Sequence, residues 1–217
     1  MIEEQSIKKG LNAMIDKGLK LYSVILYRTD IHNYPRYSLP KGYSFSFYQK
    51  GDEVQWAELE CALGQFVTPE EGVECFWKEF PVDSQLSPED RMLFVRNPEG
   101  KIVATCALWE GDHLGKTRGR FHWLAVSDEC AGKGIAKALF SRLFALACEL
   151  GYKDMLYLLT GTWYYPAIGM YKKMGFEFYR GEQSPFQKLT NEQFQERNEM
   201  AITMIEEKLK ERKQRAD

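Results

Sequence analysis

The chain has 217 residues, of which 28% are charged and 44% hydrophobic, proportions of an ordinary globular domain that exclude disordered, collagen-like and coiled-coil classes. Twenty-nine Lys and Arg against 31 Asp and Glu leave a net charge of -2, which supplies no electrostatic footprint for a nucleic-acid binder. The start Met1-Ile2-Glu3-Glu4 is acidic where a signal peptide would be basic, and no apolar run approaches the roughly 18 residues of a spanning helix, so the expectation is a cytoplasmic chain with no membrane partner.

Residues 3–17 carry apolar side chains at helical spacing (Ile7, Leu11, Met14, Ile15), and Leu21 to Tyr27 is a short β-rich run. Two prolines and a glycine between Tyr34 and Gly42 punctuate the chain before the alternating strand Tyr43, Phe45, Phe47, and the main domain is placed from about residue 41. Helical spacing returns at Trp56, Leu59, Leu63 and Phe66, and Thr68-Pro69-Glu70-Glu71 reads as the cap and first turn of a second helix running to Phe80. Met92–Val95 and Ile102–Trp109 form a hairpin about the turn residues Asn97-Pro98-Glu99-Gly100.

A polar, glycine-rich loop at residues 111–119 leads to the strand Phe121–Val126, whose nearly continuous apolar run predicts burial. Ile135, Leu139, Leu143, Leu146 and Leu150 form a helical stripe ended by Gly151, and Met155–Leu159 follows as a strand. Strand, long helix, strand is a βαβ unit with parallel strands. Pro166 opens a short helix that Gly175 stops before the strand Phe176–Tyr179, and Leu189 to Lys213 is a charged amphipathic helix. Its Met200, Ile202, Ile205 and Leu209 need cover, from the sheet or from a second copy in a homodimer.

The five cysteines Cys61, Cys75, Cys106, Cys130 and Cys148 include no CxxC pair and share no metal-ligand spacing with His32, His113 and His122, so free thiols and no metal site are expected. Large aromatics such as Trp109, Trp123, Trp163, Tyr164 and Tyr165 are core residues first and an acceptor-pocket lining second. His113, in the glycine-rich loop, is expected to be exposed.

The segment that carries chemistry is Leu124-Ala125-Val126-Ser127-Asp128-Glu129-Cys130-Ala131-Gly132-Lys133-Gly134-Ile135-Ala136, a strand passing through a glycine turn into the long helix. Such a turn presents backbone N–H groups at the positive end of a helix dipole, a receptor for phosphates. On the glycines alone, a helix that merely needs flexible residues at its start fits equally well. A Walker A loop is excluded because Ile135 follows Gly132-Lys133-Gly134, and a Rossmann fingerprint because Lys137 stands where a small residue is required.

The turn Ala131-Gly132-Lys133-Gly134-Ile135-Ala136 resembles the acyl-CoA turn Q/R-x-x-G-x-G/A of the GNAT superfamily of N-acetyltransferases. The run Ala167-Ile168-Gly169-Met170-Tyr171-Lys172-Lys173-Met174-Gly175-Phe176 is similar to that family's A-x-x-x-Y-x-x-x-G-F. The resemblance extends from about Tyr43 to Tyr179. It implies an α/β fold with a mixed, mostly antiparallel central sheet flanked by helices. The domain would occupy residues 41–182, with a helix-strand extension at 1–40 and a helical tail at 183–217. The departures are Ala131 where the family has Gln or Arg, Tyr164 where it commonly has Asn, and no evident last strand after Tyr179, so something else must complete the sheet.

By the same resemblance, acetyl-CoA is the co-substrate and a small-molecule amine the acceptor. Its pantetheine arm lies on backbone groups of Leu124 and Val126, with Thr160 and Tyr164 as candidates to replace the missing amide, and its phosphates sit on Gly132, Lys133, Gly134, Ile135 and Ala136. Tyr171 is the candidate acid for the departing thiolate, with a tyrosine that merely packs under its helix as the alternative. His122-Trp123-Leu124-Ala125-Val126 resembles the H-x-L-A-V of arylalkylamine N-acetyltransferases, which makes His122 the candidate base or proton relay. Strand alternation puts 122, 124 and 126 on one face, and a histidine merely hydrogen-bonded within the sheet is the equal alternative. A non-catalytic acyl-CoA sensor or interaction module is the rival reading, favoured by Ala131 and Tyr164.

Overall fold

In the computed structural model the Thr68 hydroxyl accepts from the Glu71 amide at 3.4 Å, and Pro69 takes the first helical position, where no amide is needed. The elements in chain order are β1 (Ser23–Arg28), β2 (Ser44–Phe47), α1 (Asp52–Ala62), α2 (Pro69–Glu79), α3 (Pro88–Arg91), β3 (Met92–Arg96), β4 (Ile102–Gly111), β5 (Arg118–Val126), α4 (Ile135–Glu149), β6 (Leu156–Gly161), α5 (Tyr165–Lys173), β7 (Glu177–Phe178) and α6 (Asn191–Gln214). The structure describes residues 15–81, 84–182 and 189–215. The helix expected over residues 3–17 lies outside them, save for 15–17, which are not helical. No helix among the described residues is long and apolar enough to cross a membrane.

The described chain forms two compact units. The first comprises His32–Trp109 and Arg120–Lys153 and holds the strand order β2-β3-β4-β5. β2 and β3 pair antiparallel with Phe45 opposite Val95, and β3 and β4 with Phe94 opposite Thr105, so the hairpin stands where its turn residues put it. One side of these strands is covered by α1, α2 and the residue that ends α2, Phe80, with Trp56, Phe76 and Phe80 fully buried with Phe94 and Ala107. The other side receives α4, where Phe121 meets Phe140 and Phe144 edge-on at 5.1 and 5.2 Å.

Two contacts fix α1 and α2. Arg96 clamps Asp52 at the start of α1 with both carboxylate oxygens within 2.8 Å. A Cβ on Gly72 of α2 would lie 2.6 Å from the Ala57 Cβ of α1, so only glycine allows the two helices this approach.

The second unit comprises the chain up to Ile31, Glu110–Gly119 and the chain from Asp154. Here the leading segment supplies what the sequence left open: β1 pairs antiparallel with β6 (Leu26 opposite Leu158) and with β7 (Leu26 opposite Phe178). Thr190 and Gln193 form a reciprocal capping box at the start of α6. Phe194, Ala201, Ile202 and Ile205 are buried within the unit, and Asn198 Nδ2 donates to the Tyr179 carbonyl at 2.8 Å. His113 corrects the expectation of exposure: it is half-buried, with Nδ1 2.8 Å from the Tyr157 hydroxyl. All strand pairings within each unit that are given by register are antiparallel, in keeping with a mixed α/β fold of mostly antiparallel strands flanked by helices.

Candidate active site

A regular strand sends successive side chains to opposite faces, yet His122 and Trp123 of β5 reach the same carboxylate. His122 Nε2 lies 2.5 Å from Glu79 Oε2, and the Trp123 indole N–H donates to that oxygen at 3.4 Å. The cause is local: Trp123 has φ +53°, and it is the one non-glycine among the described residues in the left-handed region. This irregularity overturns the expected common face of residues 122, 124 and 126. His122, Trp123 and Ala125 all meet the aromatic cluster of α1 and α2, whereas Phe121 packs on α4. It also explains why β5 is half-buried at His122, Trp123 and Leu124 rather than buried throughout.

Trp123 is held in this conformation, which costs of order 1–3 kcal/mol, by an edge contact to Trp56 at 5.1 Å and by stacking on Phe66 at 5.9 Å. Glu79 is the last residue of α2. The His122 hydrogen bond holds its carboxyl below the usual range, against the opposing effect of burial, with further help from Trp123 and Arg120. The Arg120 guanidinium contacts His122 Nδ1 and Nε2 and lies 4.0 Å from Glu79. Arginine only donates, and a carboxylate only accepts. The arrangement therefore places the ring proton on Nε2, toward Glu79, and leaves the Nδ1 lone pair to Arg120.

One residue of α1 stands out nearby in sequence. Glu60 is 2% exposed, its Oε1 has no hydrogen-bond partner, and burial pushes its carboxyl up to about 8. The Trp56 indole N–H, one turn earlier on α1, is likewise buried and unpartnered.

Beyond β5 the chain makes a single turn of 3-10 helix, Asp128–Cys130, and then the glycine turn. Gly132 and Gly134 have φ +77° and +81°, and a Cβ built on either meets nothing within 4 Å, so the turn is open on that side. No side chain caps α4, which leaves the N–H groups of its first turn without intrahelical or side-chain partners. Lys133 is exposed and donates from Nζ to the Tyr43 hydroxyl at 3.2 Å, a bond that raises its pKa. These residues fit a phosphate-bearing ligand: fixed donors, a helix dipole and an open approach.

Of the sequence candidates, His122, Leu124, Val126, Gly132, Lys133, Gly134, Ile135 and Ala136 belong to the first unit, while Thr160, Tyr164 and Tyr171 belong to the second. Thr160 stands opposite Val24 in the pairing of β6 with β1, Tyr164 precedes α5 as its N-cap, and Tyr171 is 6% exposed, with its ring 6.5 Å from that of Phe176. Glu79 was not among the sequence candidates. It lies 43 residues from His122, and no local pattern joins the two.

The model of the acetyltransferase (GNAT) family matches residues 52–176, more than half of the 217-residue chain. The chain belongs to the GNAT family. It is similar to N-acetyltransferase 8 of Mus musculus, 33% identical over 96 residues that make up 43% of this chain and 42% of that protein. It also resembles N-acetyltransferase family 8 member 2 of Rattus norvegicus, 44% identical over 54 residues, 25% of this chain and 24% of that one. The GNAT chain thus matches less than half the length of these curated relatives. Among solved structures, a GCN5-related N-acetyltransferase from Sphaerobacter thermophilus shares the fold, with a TM-score of 0.56 at 22% identity over 72% of this chain and 48% of that one.

Proposed function

We propose that this GNAT chain transfers an acetyl group from acetyl-CoA to a primary amine of a small molecule, by direct attack in a ternary complex. The observation that carries this reading is the open glycine turn at the uncapped start of α4, in a chain of this family. Its backbone donors at Gly132, Gly134, Ile135 and Ala136 hold the phosphates, the Lys133 amide being bonded to the Cys130 carbonyl at 3.3 Å, and backbone groups of Leu124 and Val126 orient the pantetheine arm. Bound acetyl-CoA supplies a thioester activated toward amines.

The residues around His122 then handle the proton. An alkylammonium has a pKa near about 10.4, so a proton must leave before the nitrogen can attack. Glu79, held anionic, draws the ammonium in. His122 accepts the proton at Nδ1 as Arg120 moves off it, and Glu79 stabilises the imidazolium at Nε2. Tyr171 takes its role from the family motif around it: its phenol gives the departing sulfur a proton.

Ala131 favours a second reading, an acyl-CoA sensor without catalysis, because it removes a side chain with which the family shapes the pyrophosphate loop. Both readings require the turn. Gly134→Val places a branched side chain at φ +81° and into the open approach. Calorimetry with CoA is expected to show binding lost while the melting transition persists. Unchanged affinity in a folded variant moves the site elsewhere.

A further inference from the structure

Around His122 the site sets one cation and one anion close together. The Arg120 guanidinium contacts the His122 ring at Nδ1 and Nε2, His122 Nε2 is 2.5 Å from Glu79, and the guanidinium lies 4.0 Å from the same Glu79 oxygen. The side chains of Arg120 and His122 are 13% and 15% exposed and that of Glu79 is 38% exposed, so a ligand arriving from solvent meets the anion first. Beside them stands the half-buried ring of Trp123, whose N–H donates to Glu79 and whose face stacks on Phe66.

In this arrangement His122 is a masked base. Arg120 occupies the Nδ1 lone pair, and a guanidinium neither accepts a proton nor gives one up. The proposed chemistry needs Arg120 to leave that nitrogen. A largely buried charge is costly to strip of a hydrogen bond, so it leaves readily only for a better acceptor. A simple alkylammonium offers none: it pairs with Glu79 and brings a second positive charge beside Arg120. A carboxylate is the better acceptor, because it takes two parallel N–H bonds from the guanidinium fork.

We infer that the acceptor is an α-amino acid, whose ammonium pairs with Glu79 and whose carboxylate draws Arg120 off His122 Nδ1, so that substrate binding itself unmasks the base. This rests on the acetyl-transfer reading above. The freed Nδ1 takes one proton from the ammonium, and the nitrogen lone pair then attacks the thioester carbonyl carbon. The C–N bond forms, the C–S bond breaks, and the sulfur leaves with a proton from its acid. The 4.0 Å between the guanidinium and Glu79 suits a ligand whose opposite charges stand one carbon apart, and a zwitterion leaves the charge balance of the site unchanged. A simple amine meets the same base still covered by Arg120.

The test compares matched acceptors by thiol release from acetyl-CoA with the full chain: phenylalanine, leucine and serine, each beside its carboxamide and its decarboxylated amine. Wild type is expected to show kcat/KM about tenfold to a hundredfold higher for at least one amino acid than for its two uncharged counterparts, the yield of a charge-assisted pair. Arg120→Gln is expected to bring that ratio within about twofold, through a fall for the amino acid and a rise for the amine. Arg120→Lys, which keeps the charge and loses the fork, should give an intermediate ratio. If Arg120 serves only to hold β5, a folded variant loses all acceptors alike and the ratio keeps its wild-type value, which overturns the assignment. Turnover of the amides and amines equal to that of the amino acids in wild type also overturns it, while leaving acetyl transfer in place. Thiol release with no acceptor at all overturns the acetyl-transfer reading and this inference with it.

Discussion

His122 has both ring nitrogens engaged, and the chemistry expected of it follows from which neighbour can yield. Glu79 is the last residue of a capped helix packed through Gly72 against α1, so it is a fixed acceptor, whereas Arg120 sits on the same strand and only has to swing from Nδ1. His122→Gln is therefore expected to lower kcat/KM by about a hundredfold to ten-thousandfold and to erase the low-pH limb of its pH profile. Tyr171→Phe keeps the packing on Phe176 and should lower turnover about tenfold to a thousandfold with CoA binding retained. Wild-type kinetics in either variant assigns that proton to water. Glu60 makes a separate prediction about stability. Its carboxyl is neutral in the fold up to about pH 8 but ionises near 4.5 when unfolded, so the folded state binds the extra proton and stability falls as pH rises between those values. Glu60→Met removes this dependence. Its stability relative to wild type should grow by about 1–3 kcal/mol between pH 5 and pH 8, read by urea unfolding at both. Parallel pH curves for the two proteins would show that the Glu60 carboxyl ionises in the fold.

Helix caps, turn residues and the stripes of α1, α2, α4 and α5 were legible in the sequence because each is a local pattern: Thr68-Pro69 starts α2 where expected, and Asn97-Pro98-Glu99-Gly100 turns the hairpin. Both family motifs lie within a single strand-turn-helix or helix-turn stretch, which is why they could be recognised without a structure. What escaped is non-local. Nothing in residues 21–27 says that β1 will pair with β6 and β7, since a β-rich run carries no label for its partner. Strand alternation does not place His122, because it breaks at Trp123, whose positive φ is imposed by contacts with Trp56, Phe66 and Glu79 from other elements. The charged amphipathic pattern locates the tail helix closely but leaves its cover open between the sheet and a second copy. In the structure Ile202 and Ile205 are 1% and 0% exposed within their own unit. Ile205→Ala should cost about 2–5 kcal/mol, and truncation after Gln187 should give an aggregating protein or one with a lowered melting temperature. A soluble truncated chain with unchanged melting in light scattering and calorimetry would contradict a covering role for α6.

At the scale of the whole molecule, the residues matched to the GNAT family, 52–176, contain the glycine turn, the His122–Glu79 pair and Tyr171. The segment with Tyr37 and Tyr43, β1 and α6 lie outside the match. The residues proposed for acetyl transfer thus lie inside the matched region. The central claim is that the chain moves an acetyl group to an amine rather than only holding its donor. The most direct measurement is thiol release from acetyl-CoA across a panel of primary amines, with the acetylated product identified by mass spectrometry. The account predicts thiol release that depends on the amine and matches the N-acetylated product one for one. Saturable CoA binding with no thiol released for any amine would contradict it and leave the acyl-CoA sensor as the function.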